Sequence, residues 1–454
     1  MNFKKFLLDT LAIKFDKAFG LDIGDRSIEI IELEKIFRFS ISTYGKTELP
    51  EGIVENGRII DQNALAERLK KLLKEAKPKK VSTNKVIVSL PQSQVFIQCF
   101  EVDANLKSGD LFRTIIEKVV LLLPINIDKT YWDFVEKPLS DKTKKLIIFV
   151  SIPKDIANSY VKFCNSIGLE VVSLGIESLS LARVILKNIS SHTLIMDIGS
   201  QATNLSFFDN NDKINMSISI PVAGDQMTEA IKTKLKIEKS EAESLKIKFG
   251  FKEIKTNKIR EIILPIMEDI LKETKDMIDY YERTFKQKLN NIYIVGGTAL
   301  LPSITDVISD SLKKEVKIAV SGYNINLNTF GKNNYFPILA NVIGLGMLGA
   351  SSEFRDINLL KKMPSSELNS INKLNIFNMG YLSRINSFRI LINNKYVLCV
   401  IIALIGIIFA ILLQQAKNLN NSNTVIPKII SPVKNKIIPP TSTSTKTSST
   451  TKLN

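Results

Sequence analysis

Two copies of one short pattern constrain the fold of this chain more than anything else in it. The first is FGLDIGDRSIEIIELEK, Phe19–Lys35, and the second is LIMDIGSQATNLSFFDNN, Leu194–Asn211. Each is an apolar strand, then Asp-Ile-Gly, then a short polar turn, then a second apolar run. That order predicts a β-hairpin with glycine in the turn. The two copies lie 175 residues apart. Two similar halves, each opening on a glycine turn, predict a duplicated α/β domain with a cleft between the halves.

Between the repeats lies a block of different composition, about residues 44–140, read as a small α/β insert. It contains NALAERLKKLLKEAK, with Leu65, Leu69, Leu72 and Leu73 at helical spacing. The first half is expected to resume at KLIIFVSIPKDIANSYVKFCNSIGL, a strand and then a helix after Pro153, with Gly168 as its stop. The second half, about 191–352, carries PVAGDQMTEAI, a helical stretch Glu238–Lys248, a long helix over roughly Lys258–Phe285, and IYIVGGTALLPSI.

Charge separates the chain into regions. The net charge is +16, of which residues 355–395 carry +5 and residues 414–454 carry +6, leaving +5 for residues 1–354. Basic surplus outside the body and beside an apolar run suits anionic lipid better than a nucleic-acid face, so no nucleic-acid partner is expected. Tyr396–Leu413 is 18 uncharged residues, YVLCVIIALIGIIFAILL, and a helix needs roughly 17–25 to cross a bilayer. The alternative is a buried core helix; the polar flanks favour the span. Arg384, Arg389 and Lys395 precede it and Lys417 follows it. That bias predicts a single-pass protein of the cytoplasmic membrane, with its body in the cytoplasm and a short tail outside. The tail, 414–454, is rich in Pro, Ser and Thr and reads as disordered. At the other end, residues 1–16 read as a helix whose Phe3, Phe6, Leu7, Leu11 and Phe15 rest on a membrane surface or pack on the body.

Cys99, Cys164 and Cys399 are widely spaced, so neither a disulfide frame nor a zinc site is readable. His192 is the single histidine, which leaves no His-based triad.

The glycine turns carry the chemistry. Glycine lets backbone N–H groups approach phosphate oxygens closely. Asp22 and Asp197, one per repeat, could hold Mg²⁺ through its waters, or could simply cap their own turns. Gly296 and Gly297 follow a buried-type strand; they form a base-binding turn or a tight strand–helix connection. Gly224 opens a helix, whose N-terminus favours an anion.

In sequence order, GLDIGDRSIEIIEL, GIESLSLARV, LIMDIGSQATNLSFFD, PVAGDQMTEAI, SEAESLKIKFG, IYIVGGTALLPSI and NVIGLGMLGA resemble the actin-like (ribonuclease H-like) ATPase superfamily. Within it, residues 17–352 resemble the type IV pilus assembly protein PilM family, relatives of the division protein FtsA. GIVENGRIIDQNALAERL and VVLLLPINIDKTYWDF resemble the inserted subdomain that PilM and FtsA share. The resemblance implies ATP and Mg²⁺ as ligands, with weak or absent hydrolysis. It implies a first phosphate loop at Gly24, Asp25, Arg26 and Ser27, and a second at Gly199, Ser200, Gln201 and Thr203. Asp22 and Asp197 would lie near the metal and Glu177 near the catalytic centre. Gly224 and Asp225 would face phosphate, Glu243 and Lys246 ribose or base, and Gly296, Gly297 and Thr298 adenosine. The pair Asp25-Arg26 departs from the small hydroxyl residues frequent in the family's first loop, and an acid beside phosphate needs an offsetting cation.

A further resemblance concerns residues 353–395. Ile357-Asn358-Leu359-Leu360 is similar to the start of the PilN cytoplasmic tail, which in that family docks on PilM and leads to one membrane helix. It implies a PilN-like peptide and basic linker joined to the body, docking in cis or in trans. Otherwise the tetrapeptide caps the last helix or belongs to a loose linker. The function implied is a membrane-anchored ATP-binding scaffold of a type IV pilus, secretion or competence machine, with other inner-membrane components, lipid and further copies of itself as partners. The competing expectations are an FtsA-like division filament and a nucleotide-free anchor. A kinase of this fold would need a substrate base that the cleft motifs do not supply.

Overall fold

A computed structural model describes residues 17–35, 38–139, 142–254, 258–325, 335–351 and 357–360. The expected N-terminal helix 1–16, most of the linker, the span 396–413 and the tail lie outside the described residues. Among the described residues no helix is long and apolar enough to cross a membrane.

Both repeat copies fold as the sequence predicts. In the first, β1 (Phe19–Ile23) pairs antiparallel with β2 (Ser27–Lys35). In the second, β11 (Thr193–Ile198) pairs antiparallel with β12 (Thr203–Phe208). The turns close identically: Gly24 N donates to Ser27 O at 2.9 Å, and Gly199 N donates to Ala202 O at 3.0 Å.

Around each hairpin the same five-stranded sheet is built. The first sheet runs β3 (Phe39–Glu48), β2, β1, β6 (Lys85–Leu90), β10 (Glu170–Ile176). The second runs β13 (Ile214–Ile220), β12, β11, β14 (Asn291–Val295), β15 (Val316–Ile318). In both, the hairpin extends into a third antiparallel strand on one side, and two parallel strands follow on the other. The duplication therefore extends from the motif to the whole sheet.

The boundary expected for the insert needs correction. β3 and β6 belong to the first sheet, and the helix Gln62–Glu75 buries Leu65, Leu69 and Leu72 in that half's core. Val86, Ile87, Val88 and Leu90 are all buried, as expected of a central strand covered on both faces. The separate subdomain is a sheet of order β7 (Phe96–Asp103), β9 (Lys144–Pro153), β8 (Thr130–Pro138). β9 is its middle strand, so the first half does not resume there. It resumes at β10, after the helix Lys154–Ser166 and Gly168, whose φ is +85°.

Two helices follow the last strands of the two sheets' cores and cross each other. They are Glu177–Ile185 and Phe336–Ala350. A Cβ on Gly344 would lie 2.1 Å from Ser180 O, so glycine is what permits this close approach. The Arg183 guanidinium donates to Gly344 O at 2.6 Å, pinning the crossing.

The second half covers its sheet with helices Gly224–Leu235, Lys239–Phe249 and Ile259–Phe285. Met227, Ile231, Ile263, Met267, Ile270 and Tyr281 are buried between them. The single histidine sits at this edge, with His192 Nδ1 2.8 Å from the Tyr281 hydroxyl.

Candidate functional site

The matched hairpins bring their turns to one cleft. On the second-half side, the turn of the β11–β12 hairpin is held by three neighbours. Gly224 N and Asp225 N, at the start of the 224–235 helix, donate to Gly199 O at 3.2 Å and Ser200 O at 2.8 Å. Thr298 Oγ1 donates to Gly199 O at 3.0 Å. Lys246 is buried, and its Nζ reaches Gly224 O at 2.9 Å and Thr228 Oγ1 at 2.8 Å. Glu243 accepts from Thr228 and pairs with Lys246 at 2.8 Å. Gly199, Ser200, Gly224, Asp225, Glu243, Lys246 and Thr298 thus lie in one bonded cluster, with Gly224, Lys246 and Thr298 buried in it.

Gly296 has φ of +89°, and a Cβ there would lie 2.5 Å from Asp197 Oδ1 and 2.4 Å from Ile198 O. The Gly-Gly turn therefore packs on the base of the second loop. Gly297 has open space where its Cβ would point. Thr203 is fully buried, and its hydroxyl donates to Val222 O at 2.8 Å. It holds the loop onto the end of β13 instead of facing the cleft, which corrects its expected ligand contact.

On the first-half side, Asp22 at the end of β1 accepts from Asn341 Nδ2 at 2.7 Å, and that same nitrogen is 2.9 Å from Ser89 Oγ. Burial pushes Asp22 up to about 7; the charges of Glu29 and Asp197 add to it, while Asn341 and Ser89 oppose it. Burial alone raises Asp197 to about 6. Glu177 goes well above the ordinary carboxylate range, first through burial and then through Asp22 and Asp197. Three buried acids from three elements are thus raised together, Asp22 and Glu177 partly through the charge of Asp197 and Glu177 also through Asp22. Asn204 Nδ2 donates to Glu177 Oε2 at 3.2 Å. Asn204 Oδ1, Ser178 Oγ and Asn341 Oδ1 are buried without a protein hydrogen-bond partner. Such groups around a carboxylate cluster suit a hydrated cation, which would lower all three pKa values. The protein does not supply a closed cage: among the described residues no group of three His, Cys, Asp or Glu is placed to hold a metal by itself. Mg²⁺ retains most of its waters, so two carboxylates acting through water fit it.

The side chains of Asp25, Arg26 and Gln201 meet a short hairpin that sequence reasoning did not single out, β4 (Val54–Glu55) and β5 (Arg58–Ile59). Asp25 Oδ1 accepts from Gly57 N at 2.9 Å, and Gln201 Oε1 accepts from Asn56 N at 2.8 Å. Burial raises the Glu29 carboxyl, against the charge of Lys46 and a hydrogen bond with Ser27. Of the residues missed, Asn341 left a signal: it is a lone amide in the otherwise apolar PILANVIGLGMLGA. Ser89 and Asn204 left none, being ordinary strand residues.

A second feature lies apart from the cleft. Ile357 and Leu359 are fully buried, at the junction of the edge strands β8 and β10. Asn358 N donates to Asp133 Oδ2 of β8 at 2.9 Å, and Asn358 Nδ2 donates to Val172 O of β10 at 3.3 Å. Asn358 Oδ1 accepts from Leu360 N at 3.1 Å. An amide side chain can donate to one strand while accepting from its own backbone two residues on.

Two equivalent half-sheets around a glycine-loop cleft, crossed helices beneath it and a subdomain on the first half define an actin-like ATPase fold. The type IV pilus assembly protein PilM family matches residues 20–335, and the chain belongs to that family. A solved PilM–PilN type IV pilus biogenesis complex aligns with a TM-score of 0.62 at 19% identity, covering 74% of this chain and 99% of that one. The cell division protein FtsA of Streptococcus pneumoniae is 21% identical over 385 residues, 75% of this chain and 81% of that protein.

Proposed function

We propose that the chain is a membrane-anchored, ATP-binding scaffold on the cytoplasmic side of a type IV pilus or related secretion or competence machine, and that its own residues 357–360 take the place of a PilN-like peptide. The observation that carries this reading is the seating of Ile357, Asn358 and Leu359 on a PilM-type body. The partner that a separate chain supplies in the solved PilM–PilN complex is here within the same sequence.

The cleft supports the nucleotide part. The amides of Gly24, Gly199, Gly224 and Asp225 are spent on shaping the two loops, which leaves the later amides of the turns, at Asp25, Arg26, Ser200 and Gln201, to suit phosphates. Gly297, with exposed Leu300 and Ile247 nearby in sequence to the turn and to Lys246, suits the flat face of a base. Mg²⁺, held through water by Asp22 and Asp197, would supply charge neutralisation at the phosphates. Burial first, then the charges of Asp22 and Asp197, raise the Glu177 carboxyl, which disfavours the ionised form that a general base requires. Slow or absent hydrolysis is part of the reading, as suits a scaffold.

Anchoring rests on the apolar run 396–413. The 35 residues 361–395 join the tetrapeptide to that run in sequence and lie outside the described residues.

The test is calorimetric titration of the detergent-solubilised full chain with Mg-ATP, beside a Gly199→Arg variant whose side chain fills the second loop. Micromolar binding lost in the variant is expected. Absence of binding in both proteins would sink the nucleotide part and leave a static anchor.

A further inference from the structure

Arg26 is the one residue of the first loop that reaches the other half of the molecule. Its guanidinium bridges to Asp225 Oδ2 through Nε at 3.0 Å and Nη2 at 2.9 Å. The same group reaches Glu55 Oε1 at 3.1 Å and Glu51 Oε1 at 3.6 Å. Gln201, from the second loop, donates to Glu55 and accepts from Asn56 N. Lys239, at the start of the 239–249 helix, pairs with Glu51. The β4–β5 hairpin therefore touches both phosphate-type loops at once. Its tip is Asn56-Gly57, with φ of +49° and +71°, the signature of a tight two-residue turn. Tyr160 OH donates to Gly57 O at 2.9 Å, fixing the tip to the body.

We propose that Arg26 and the β4–β5 hairpin form a clasp across the mouth of the cleft, and that the terminal phosphates of a bound nucleotide open it by taking the guanidinium from Asp225 and Glu55. This rests on the ATP-binding reading above. The chemistry is a competition between anions. Arginine presents a planar fork that fits carboxylate and phosphate alike. Three carboxylates already share this one fork. A phosphate that captures it removes the cation that Glu55 and Asp225 share, and the like charges left behind repel one another and the phosphate. The hairpin then lifts from Gln201 and Asp25, and its two side-chain-bonded amides are freed. The departure Asp25-Arg26 in the first loop has its explanation here: Asp25 holds the Gly57 amide and Arg26 ties the halves.

The experiment is hydrogen exchange by mass spectrometry over residues 50–60 of the solubilised full chain, with Asp225→Asn and Glu55→Gln variants, with and without Mg-ATP. Loss of one charged partner weakens the clasp by about one hydrogen bond's worth, so amide exchange at Asn56 and Gly57 should rise roughly tenfold in either variant without nucleotide. Mg-ATP should produce the same rise in the wild-type chain and a smaller one in Asp225→Asn, whose ATP dissociation constant should fall by about three- to tenfold because one of the carboxylates competing for the guanidinium is gone. Unchanged exchange in both variants overturns the clasp. Exchange that slows when ATP binds overturns the competition, since the hairpin would then be closing over the ligand. If the wild-type chain does not bind ATP at all, the nucleotide part of the scaffold reading and the competition both fall. The variants' exchange without nucleotide then still decides whether the hairpin ties the halves together.

Discussion

Substituting Leu359 by alanine should release the 357–360 segment, and the size of the effect follows from its contacts. Ile357 and Leu359 are fully buried, and each such side chain contributes about 1.5–3 kcal/mol. Three hydrogen bonds involve Asn358 and Leu360, each contributing roughly 0.5–1.5 kcal/mol. Ordering four residues opposes this by about 1–2 kcal/mol apiece. Taken at the centres of these ranges, the seat is favoured by about 1–2 kcal/mol, so roughly a tenth of chains are unseated at any moment. A buried Leu→Ala change removes about 2–5 kcal/mol, more than the whole margin. Arg355, Lys361 and Lys362 flank the segment in sequence, so trypsin reads its release. Cleavage there should rise about tenfold in Leu359→Ala and then stop, because the fully released peptide sets the ceiling. The body fragment must stay intact as a control. Equal cleavage of wild type and variant would refute the seat. A rise of about a hundredfold or more would refute the ledger, since the wild-type seat would then be much tighter than these terms allow.

Three further outcomes are expected. Asp22 has its folded-state value raised from 3.8 to about 7, so the folded chain holds a proton that the unfolded chain releases; the resulting penalty is absent below about pH 4, grows as pH rises toward 7 and persists above it. Asp22→Asn should therefore raise the melting temperature at pH 8 and leave it nearly unchanged at pH 4, as read by calorimetry. Glu282 goes the other way. Against burial, Lys288, the Leu289 amide and Lys314 hold it down at about 2, so its contribution is present above about pH 4.5 and is lost as pH falls toward 2; Glu282→Gln should flatten that part of the acid denaturation curve. Gly344→Ala places a Cβ 2.1 Å from Ser180 O and should cost about 2–4 kcal/mol in urea unfolding, because the backbone there cannot move without parting the crossed helices.

The cleft was largely legible because its parts repeat. Asp-Ile-Gly occurs twice with strands on both sides, and the two turns close with the same hydrogen bond. The second-half side was legible because glycines at 224 and 296 mark backbone approaches that side chains would block. The insert boundary was misread because β6 and β7 run together in sequence as KVIVSLPQSQVFIQCFEV. Only the short Gln92–Gln94 turn divides them, and which sheet each strand joins is decided by pairing across the chain. The hairpin at 54–59 was invisible for a related reason. Its Asn-Gly tip is a local signal, but its contacts with Arg26 and Gln201 are tertiary. Thr203 was misassigned because a hydroxyl beside a glycine loop looks the same whether it meets a ligand or a carbonyl.

The seat of residues 357–360 also sets where a mechanical load enters this molecule. The last long helix ends at Ala350, so a pull from the C-terminal side would otherwise act on that helix and on its crossing with 177–185. With Asn358 fixed to Asp133 and Val172, the same pull arrives first at the joint between β8 and β10. It is carried there by two buried side chains and a short set of hydrogen bonds, spread over both the subdomain and the first sheet. The crossed helices beneath the cleft are shielded until that joint yields, so the seat acts as a mechanical fuse ahead of the cleft.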